Sequence, residues 1–410
     1  MARKTRHFTA TAIAAALAAA PLAGADPIII DQVQLNGTLG ALIVEVPGEA
    51  DAATAVATAV GNTAAGLLDS GSIDAVVTQQ ASGDSFATAE LRGGTVWGPA
   101  TIASTAYGNA ATGSTWAGDI AADVTQTMSA DTTALATTRL DTAGSVTSAA
   151  TAAANVLVTA NDYGTASGTQ TQLSEGDVSA WTNASVLRNT QSATWLTTAS
   201  GNNLTSAGSS ATRLVTSNQT TADGTTVAAG ADIYMQDGNN VSSALTAAGN
   251  SVTVTNEWGY ASLGLEGGPA EQLNGADIEA LSAVELDHWS GYAVSSSYGV
   301  GNSAAVSNVG ADTAMYTAQV NTGDVTSGAT LTGQSWVGGT GAANAVAIGN
   351  AASAFLCNLC GDSAVYGSAN QVNSGATTAY SYVNTPVAGA IMGSATAIGN
   401  SATFASGDGN

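Results

Sequence analysis

The 410-residue chain carries 30 acidic residues against 7 basic ones, a formal charge of −23, yet only 9% of it is charged and its 45% hydrophobic fraction is dominated by alanine. That sign excludes nucleic acid and anionic lipid as direct partners, because phosphate binding needs a basic surface. An aromatic content of 5% and small side chains exclude one thick globular core and favour a thin, elongated one.

The first stretch has the three parts of a secretory signal: basic Arg3, Lys4 and Arg6, an apolar run from Phe8 to Ala20, and the small-residue pattern Ala23-Gly24-Ala25. Residues 1–25 are therefore expected to be a signal peptide cleaved after Ala25; the alternative is an N-terminal helix kept in the mature protein. The run is too short to span a bilayer. No Arg-Arg pair precedes it, and Asp26, not Cys, follows, so neither twin-arginine export nor lipidation is indicated. Beyond Ala25 there is no lysine, only Arg92, Arg139, Arg188 and Arg213, and four cations against 30 acids make the mature formal charge −26.

Residues 26–50 form a second unit. "DPIIIDQVQLNGTLGALIVEV", from Asp26 to Val46, is the most aliphatic stretch after the signal and reads as an N-terminal cap or docking segment. Residues 51–410 are repetitive. Gly-Asn followed by a small residue recurs at Gly61-Asn62, Gly108-Asn109, Gly201-Asn202, Gly249-Asn250, Gly301-Asn302, Gly349-Asn350 and Gly399-Asn400, and Asn161 in "NDYG" fills the one large gap. The spacing is a ragged period near 48 residues. A Trp precedes the marker in three copies, at Trp97, Trp289 and Trp336, and Gly-Asp-[Ile/Val] falls between markers at Gly118-Asp119-Ile120, Gly176-Asp177-Val178 and Gly323-Asp324-Val325. Periods of this length belong to solenoids, propellers and arrays.

Alanine favours a helix, and the stretch Glu49 to Asp69 could form one. Thr, Val, Ser, Asn and Gly oppose it, and alternation in Ser251-Val252-Thr253-Val254-Thr255 fits a strand. Gly-Asn then reads as the turn between short strands, Gly accepting positive φ and Asn tolerating the left-handed region. Stacked copies would place Asn above Asn in an amide ladder. The expected fold is all-β: an elongated β-solenoid, or β-helix, built from ragged repeats. Two coils of about 24 residues per repeat would give some fifteen coils and a rod roughly 70 Å long. A disordered low-complexity chain is the competing reading.

Few residues could carry chemistry. His288, in "VELDHWSGY", is the one histidine after the signal and reads as structural beside Asp287 and Trp289. No Gly-x-Ser-x-Gly elbow stands between a strand and a helix pattern. Cys357-Asn358-Leu359-Cys360 lacks further ligands for zinc and a redox context; a local disulfide at a bend is expected, with free thiols as the alternative. Asp119, Asp177, Asp324, Asp362 and Asp408 read as solvated turn residues; calcium binding is the other reading, but the calcium β-roll nonapeptide is missing. No cofactor, metal or catalytic residue is expected, and the chain reads as a non-enzyme.

"AIGNSA" and "AIGNAA" resemble the head repeats of trimeric autotransporter adhesins, but only locally. The signal followed by "DQVQLNG", a Val-rich stretch, "AVGNTA", "TVWGPATIASTAYGNA" and lysine-poor Ala/Thr/Ser/Gly/Asn sequence resembles the holdfast attachment protein D family of stalked alphaproteobacteria. That resemblance implies an exported, outer-membrane-associated adhesin or anchor that fastens an adhesive polysaccharide to the cell pole, working with a curli-like subunit and an outer-membrane lipoprotein pore. A polysaccharide-degrading β-helix enzyme and a structural surface-layer or spacer protein are the alternatives.

Overall fold

The computed structural model describes residues 28–334, 339–358, 363–386 and 388–408. Its described secondary structure is entirely β. The strands are β1 (Ile28–Gln34), β2 (Thr38–Ala50), β3 (Ala53–Ser70), β4 (Ile73–Ala81), β5 (Ser85–Ala117), β6 (Ile120–Met128), β7 (Thr132–Ser174), β8 (Val178–Gly208), β9 (Ala211–Thr221), β10 (Thr226–Gly238) and β11 (Asn240–Glu257). They continue with β12 (Ala261–Leu263), β13 (Ala270–Asn274), β14 (Asp277–Trp289), β15 (Tyr292–Val309), β16 (Thr313–Asn321), β17 (Val325–Gly333), β18 (Thr340–Asn358), β19 (Val365–Asn373), β20 (Thr377–Asn384) and β21 (Ala390–Asp408). The alanine-rich stretch Glu49 to Asp69 is not helical: it forms the end of β2 and most of β3.

All strand pairing is parallel and falls into three ladders. The first runs through β1, β4, β6, the end of β7, β9, β12 with β13, β16 and β19. The second runs through β2, the starts of β5, β7 and β8, then β10, β14, β17 and β20. The third takes β3, the remainder of β5, the middle of β7, the end of β8, then β11, β15, β18 and β21. Stacked side chains on the first ladder are 46 to 53 residues apart. Strands one marker apart are thus direct neighbours, which corrects the expectation of two coils per interval. Eight rungs, at about 4.8 Å each, span roughly 34 Å from first to last.

Small and β-branched side chains suit this stacking because every inward position must pack on its counterpart one rung away. In β3, Ala53, Ala55, Ala57 and Ala59 point inward; the alternation then slips by one residue, and Asn62 and Ala64 take over the inward positions. The slip divides the interior. One apolar core lies between the second ladder and the start of the third and includes Leu91, Ile102, Val186, Trp195, Ile233 and Leu286. The other lies between the first ladder and the end of the third and includes Ile73, Ile120, Leu157, Leu204, Val254 and Leu263. Large side chains sit among small ones: Trp195 is fully buried in the column that carries Ser148 and Ser243 on the adjacent rungs.

Residues 28–50 supply the first two strands of the first rung, which β3 completes. β1 pairs with β4 and β2 with β5, while Ile29, Val33, Leu39 and Ile43 stay exposed. One rung is interrupted: between β12 and β13, residues 264–269 leave the ladder in a small excursion closed by a Leu265–Gly268 bridge, with Gly264 at φ 71°.

Candidate functional site

The two cores are separated by a polar wall built from two amide stacks. In the first, Asn62 donates from Nδ2 to Oδ1 of Asn109, and the pattern continues through Asn155, Asn202, Asn250, Asn302 and Asn350 to Asn400, with bonds of 2.7 to 2.9 Å. In the second, Gln79 donates to Gln32, Gln126 to Gln79, and so on through Gln172, Gln219, Gln272 and Gln319 to Gln371, at 2.7 to 2.8 Å. The asparagine stack donates toward the C-terminal rung and the glutamine stack toward the N-terminal rung. Their amide dipoles therefore oppose each other.

The remaining amide hydrogens cross the interior. Asn109 donates to the carbonyl of Thr127, the residue after Gln126, at 2.8 Å, and Gln79 donates to the carbonyl of Ala110, the residue after Asn109, at 3.0 Å. The same reciprocal pair recurs at Asn202 with Thr220 and at Gln219 with Ser251. The wall thus satisfies buried donors that would otherwise cost about 1–3 kcal/mol each.

This placement corrects the turn role expected for the Gly-Asn pairs from Gly61-Asn62 to Gly399-Asn400. They lie inside continuous strands, and none of their glycines has positive φ. The glycine is there for close approach. A Cβ on Gly108 would meet the Met128 side chain and lie 2.6 Å from the Ala154 carbonyl, and one on Gly249 would meet the Asn274 amide. The rung that reads Ala154-Asn155 faces Ser174 at the corresponding position, where a short side chain leaves room. Asn155, not Asn161, is consequently the member that fills the gap.

Asn161 instead helps to hold a buried cation. Arg213 is fully buried and donates to the Asn161 carbonyl at 3.0 Å, to Asn161 Oδ1 at 2.7 Å, to Ser206 Oγ at 2.5 Å and to the Ala207 carbonyl. Its side chain fills the space left by Gly208. Burial pulls its pKa down to about 10, opposed by the charge of Asp162. The other three arginines are on the outer face of the second ladder. Arg92 binds Glu45 on the adjacent rung, Arg139 lies 3.8 Å from Glu90, and Arg188 lies 3.5 Å from Asp237. His288 approaches the same Asp237 at 3.5 Å. Glu45, Arg92, Glu90 and Arg139 form one run of charges across rungs and Arg188, Asp237 and His288 another, and Arg139 also lines an open groove of about 370 Å³ with Asp232 and Tyr234.

The Gly-Asp phrases divide between two corners. Asp177 and Asp324 belong to an exposed column with Asp84, Asp131 and Asp277 at the start of the second ladder; each carboxylate accepts the backbone N–H of the next rung, for example Asp177 N to Asp131 Oδ1 at 3.0 Å. Asp119 sits at the other corner and accepts the Thr165 N–H at 2.7 Å. The repeated Trp likewise has two environments: Trp97 is exposed and donates to Glu49 at 3.3 Å, whereas Trp289 is buried. Cys357 is half-buried in β18. Cys360, and with it the expected disulfide, lies outside the described residues, as do Asp362 and the cleavage position at Ala25.

A further exposed cluster was not anticipated. Trp116 is 61% exposed and meets Tyr163 edge to face, with ring centroids 5.9 Å apart. It faces an open groove of about 550 Å³ shared with Leu67, Asp69 and Asp162.

Comparison with known proteins adds one positive finding: a family model described as Holdfast attachment protein D matches residues 48–324. No curated protein and no solved structure matches the chain.

Proposed function

This chain belongs to the holdfast attachment protein D family, and from that membership we propose that it is an exported β-solenoid acting as a non-enzymatic anchor between the holdfast polysaccharide and the cell envelope. The observation that carries this reading is the unbroken pair of amide stacks. They tie all eight rungs into one rigid unit and present three parallel-sheet faces at the surface, a design suited to holding partners at fixed positions. Arg92 is bonded to Glu45 and Arg213 to the interior, which supports attachment over charge-assisted catalysis.

Retention at the outer membrane is assigned to partner proteins, a curli-like subunit and a lipoprotein pore. A mature charge of −26 repels anionic headgroups. The exposed aliphatic side chains of the first rung, Ile29, Val33, Leu39 and Ile43, are the proposed docking face for such a partner. Fractionation of cells with and without the pore tests this. Loss of the protein from the surface of pore-deficient cells, together with shedding of holdfast from cells lacking this chain, is expected. Unchanged surface retention in pore-deficient cells would refute partner-dependent anchoring.

A further inference from the structure

We propose that the groove at Trp116 is a subsite for a cationic amino sugar, one unit of a polysaccharide that carries free amino groups. The inference rests on the anchoring reading and gives it a contact point. Leu68 pairs with Thr115 and Ser70 with Ala117, while Thr115 pairs with Asn161 and Ala117 with Tyr163. Asp69, Trp116 and Asp162 therefore occupy one column on three successive rungs. The indole's strand position lies between two aspartate positions two rung spacings apart, roughly 10 Å along the stack.

The platform is held in place before any ligand arrives. Thr115 Oγ1 donates to the Gly71 carbonyl at 3.2 Å, Gly71 N–H to the Ala117 carbonyl at 2.9 Å, and Gly118 N–H to the Tyr163 carbonyl at 3.2 Å. Tyr163 then fixes the indole from the side. An indole face attracts a cation placed over it, and flanking carboxylates add hydrogen-bond acceptors for ammonium and hydroxyl groups. A pyranose ring matches both features: its C–H face covers the indole while its polar rim reaches Asp69 and Asp162. The sign of the whole chain also favours a cationic polymer. An extended polymer can follow the column from rung to rung, which a compact ligand cannot.

Calorimetric titration of the full mature chain with β-1,4-linked glucosamine oligomers, their N-acetylated counterparts and an oligolysine of equal charge tests the proposal. The glucosamine oligomer is expected to bind best, and its affinity should fall as salt is raised toward about 1 M, where charges more than roughly 3 Å apart are screened. Trp116→Ala should weaken it about tenfold, with Trp116→Tyr restoring most of the loss, and Asp69→Asn roughly threefold. Equal binding of the acetylated oligomer or of oligolysine, or indifference to Trp116→Ala, overturns the subsite. Holdfast retention by cells provides the separate readout: an inert Trp116→Ala variant in a protein whose deletion still sheds holdfast removes the subsite alone, whereas deletion without shedding removes the anchoring reading itself.

Discussion

Two regions of this molecule stack like on like, with opposite solutions. Inside, asparagine rests on asparagine and glutamine on glutamine; at the exposed corner, aspartate rests on aspartate. An amide carries both donor and acceptor, so a column of amides can bond to itself without water. A carboxylate only accepts, so each Asp131-type side chain takes the backbone N–H of the next rung and leaves its charge in solvent. The difference teaches which residues a stacked fold can bury: side chains complementary to their own copies.

Exchanging the two chemistries should produce the largest effect. Asn202→Asp puts a carboxylate between Asn155 and Asn250, where it can no longer donate, and should cost about 4 kcal/mol in urea denaturation at neutral pH. Burial raises the pKa of such an acid above its unfolded value, so the loss should shrink as pH falls through the carboxylate range. The reverse exchange at the corner, Asp131→Asn, should stay within about 0.5 kcal/mol of wild type.

Much of the inner wall was legible, and its limits are physical. The asparagine stack could be read because a glycine precedes nearly every member, but Asn155 was hidden by Ala154, which is tolerated opposite Ser174. The glutamine stack was missed although a signal existed: Gln79, Gln126, Gln172, Gln272 and Gln319 each precede an Asp of the outer column by five residues. Glycine was read for its freedom of φ, whereas the fold uses its missing Cβ. The Trp116 groove draws on residues from three rungs, and only the register brings them together.

Removing one wall residue while keeping its bulk separates hydrogen bonding from packing. Gln126→Leu should destabilise by about 2 kcal/mol, since the Val156 carbonyl and the neighbouring glutamines lose partners; equilibrium denaturation measures it, and a loss below 0.5 kcal/mol, the ordinary surface range, would show that the wall only fills space.

The half-buried tyrosines outside the wall add a pH axis. Burial raises the pKa of Tyr107 and Tyr298 above 10, so the folded chain holds protons that the unfolded chain releases, and stability should fall as pH rises past about 10. A Tyr107→Phe, Tyr298→Phe double variant should flatten that alkaline decline in melting curves, with neutral-pH stability little changed.

The smallest effect belongs to the outer ion pairs. Arg92→Ala removes an exposed, solvent-screened contact to Glu45 and should leave the urea denaturation curve superimposable on that of wild type, the more so in high salt.

The excursion at residues 264–269 has a consequence for how such sequences change over generations. Gln219 to Gln272 is 53 residues, yet the two amides bond at 2.8 Å as their neighbours do. Added residues were accommodated at a strand interruption without disturbing the columns on either side. Insertions and deletions in related genes should therefore gather at corners and strand breaks, while the positions of Asn and Gln relative to the facing strand drift little. An aligner that scores gaps uniformly would misplace these proteins; one anchored on the amide positions would recover their common frame.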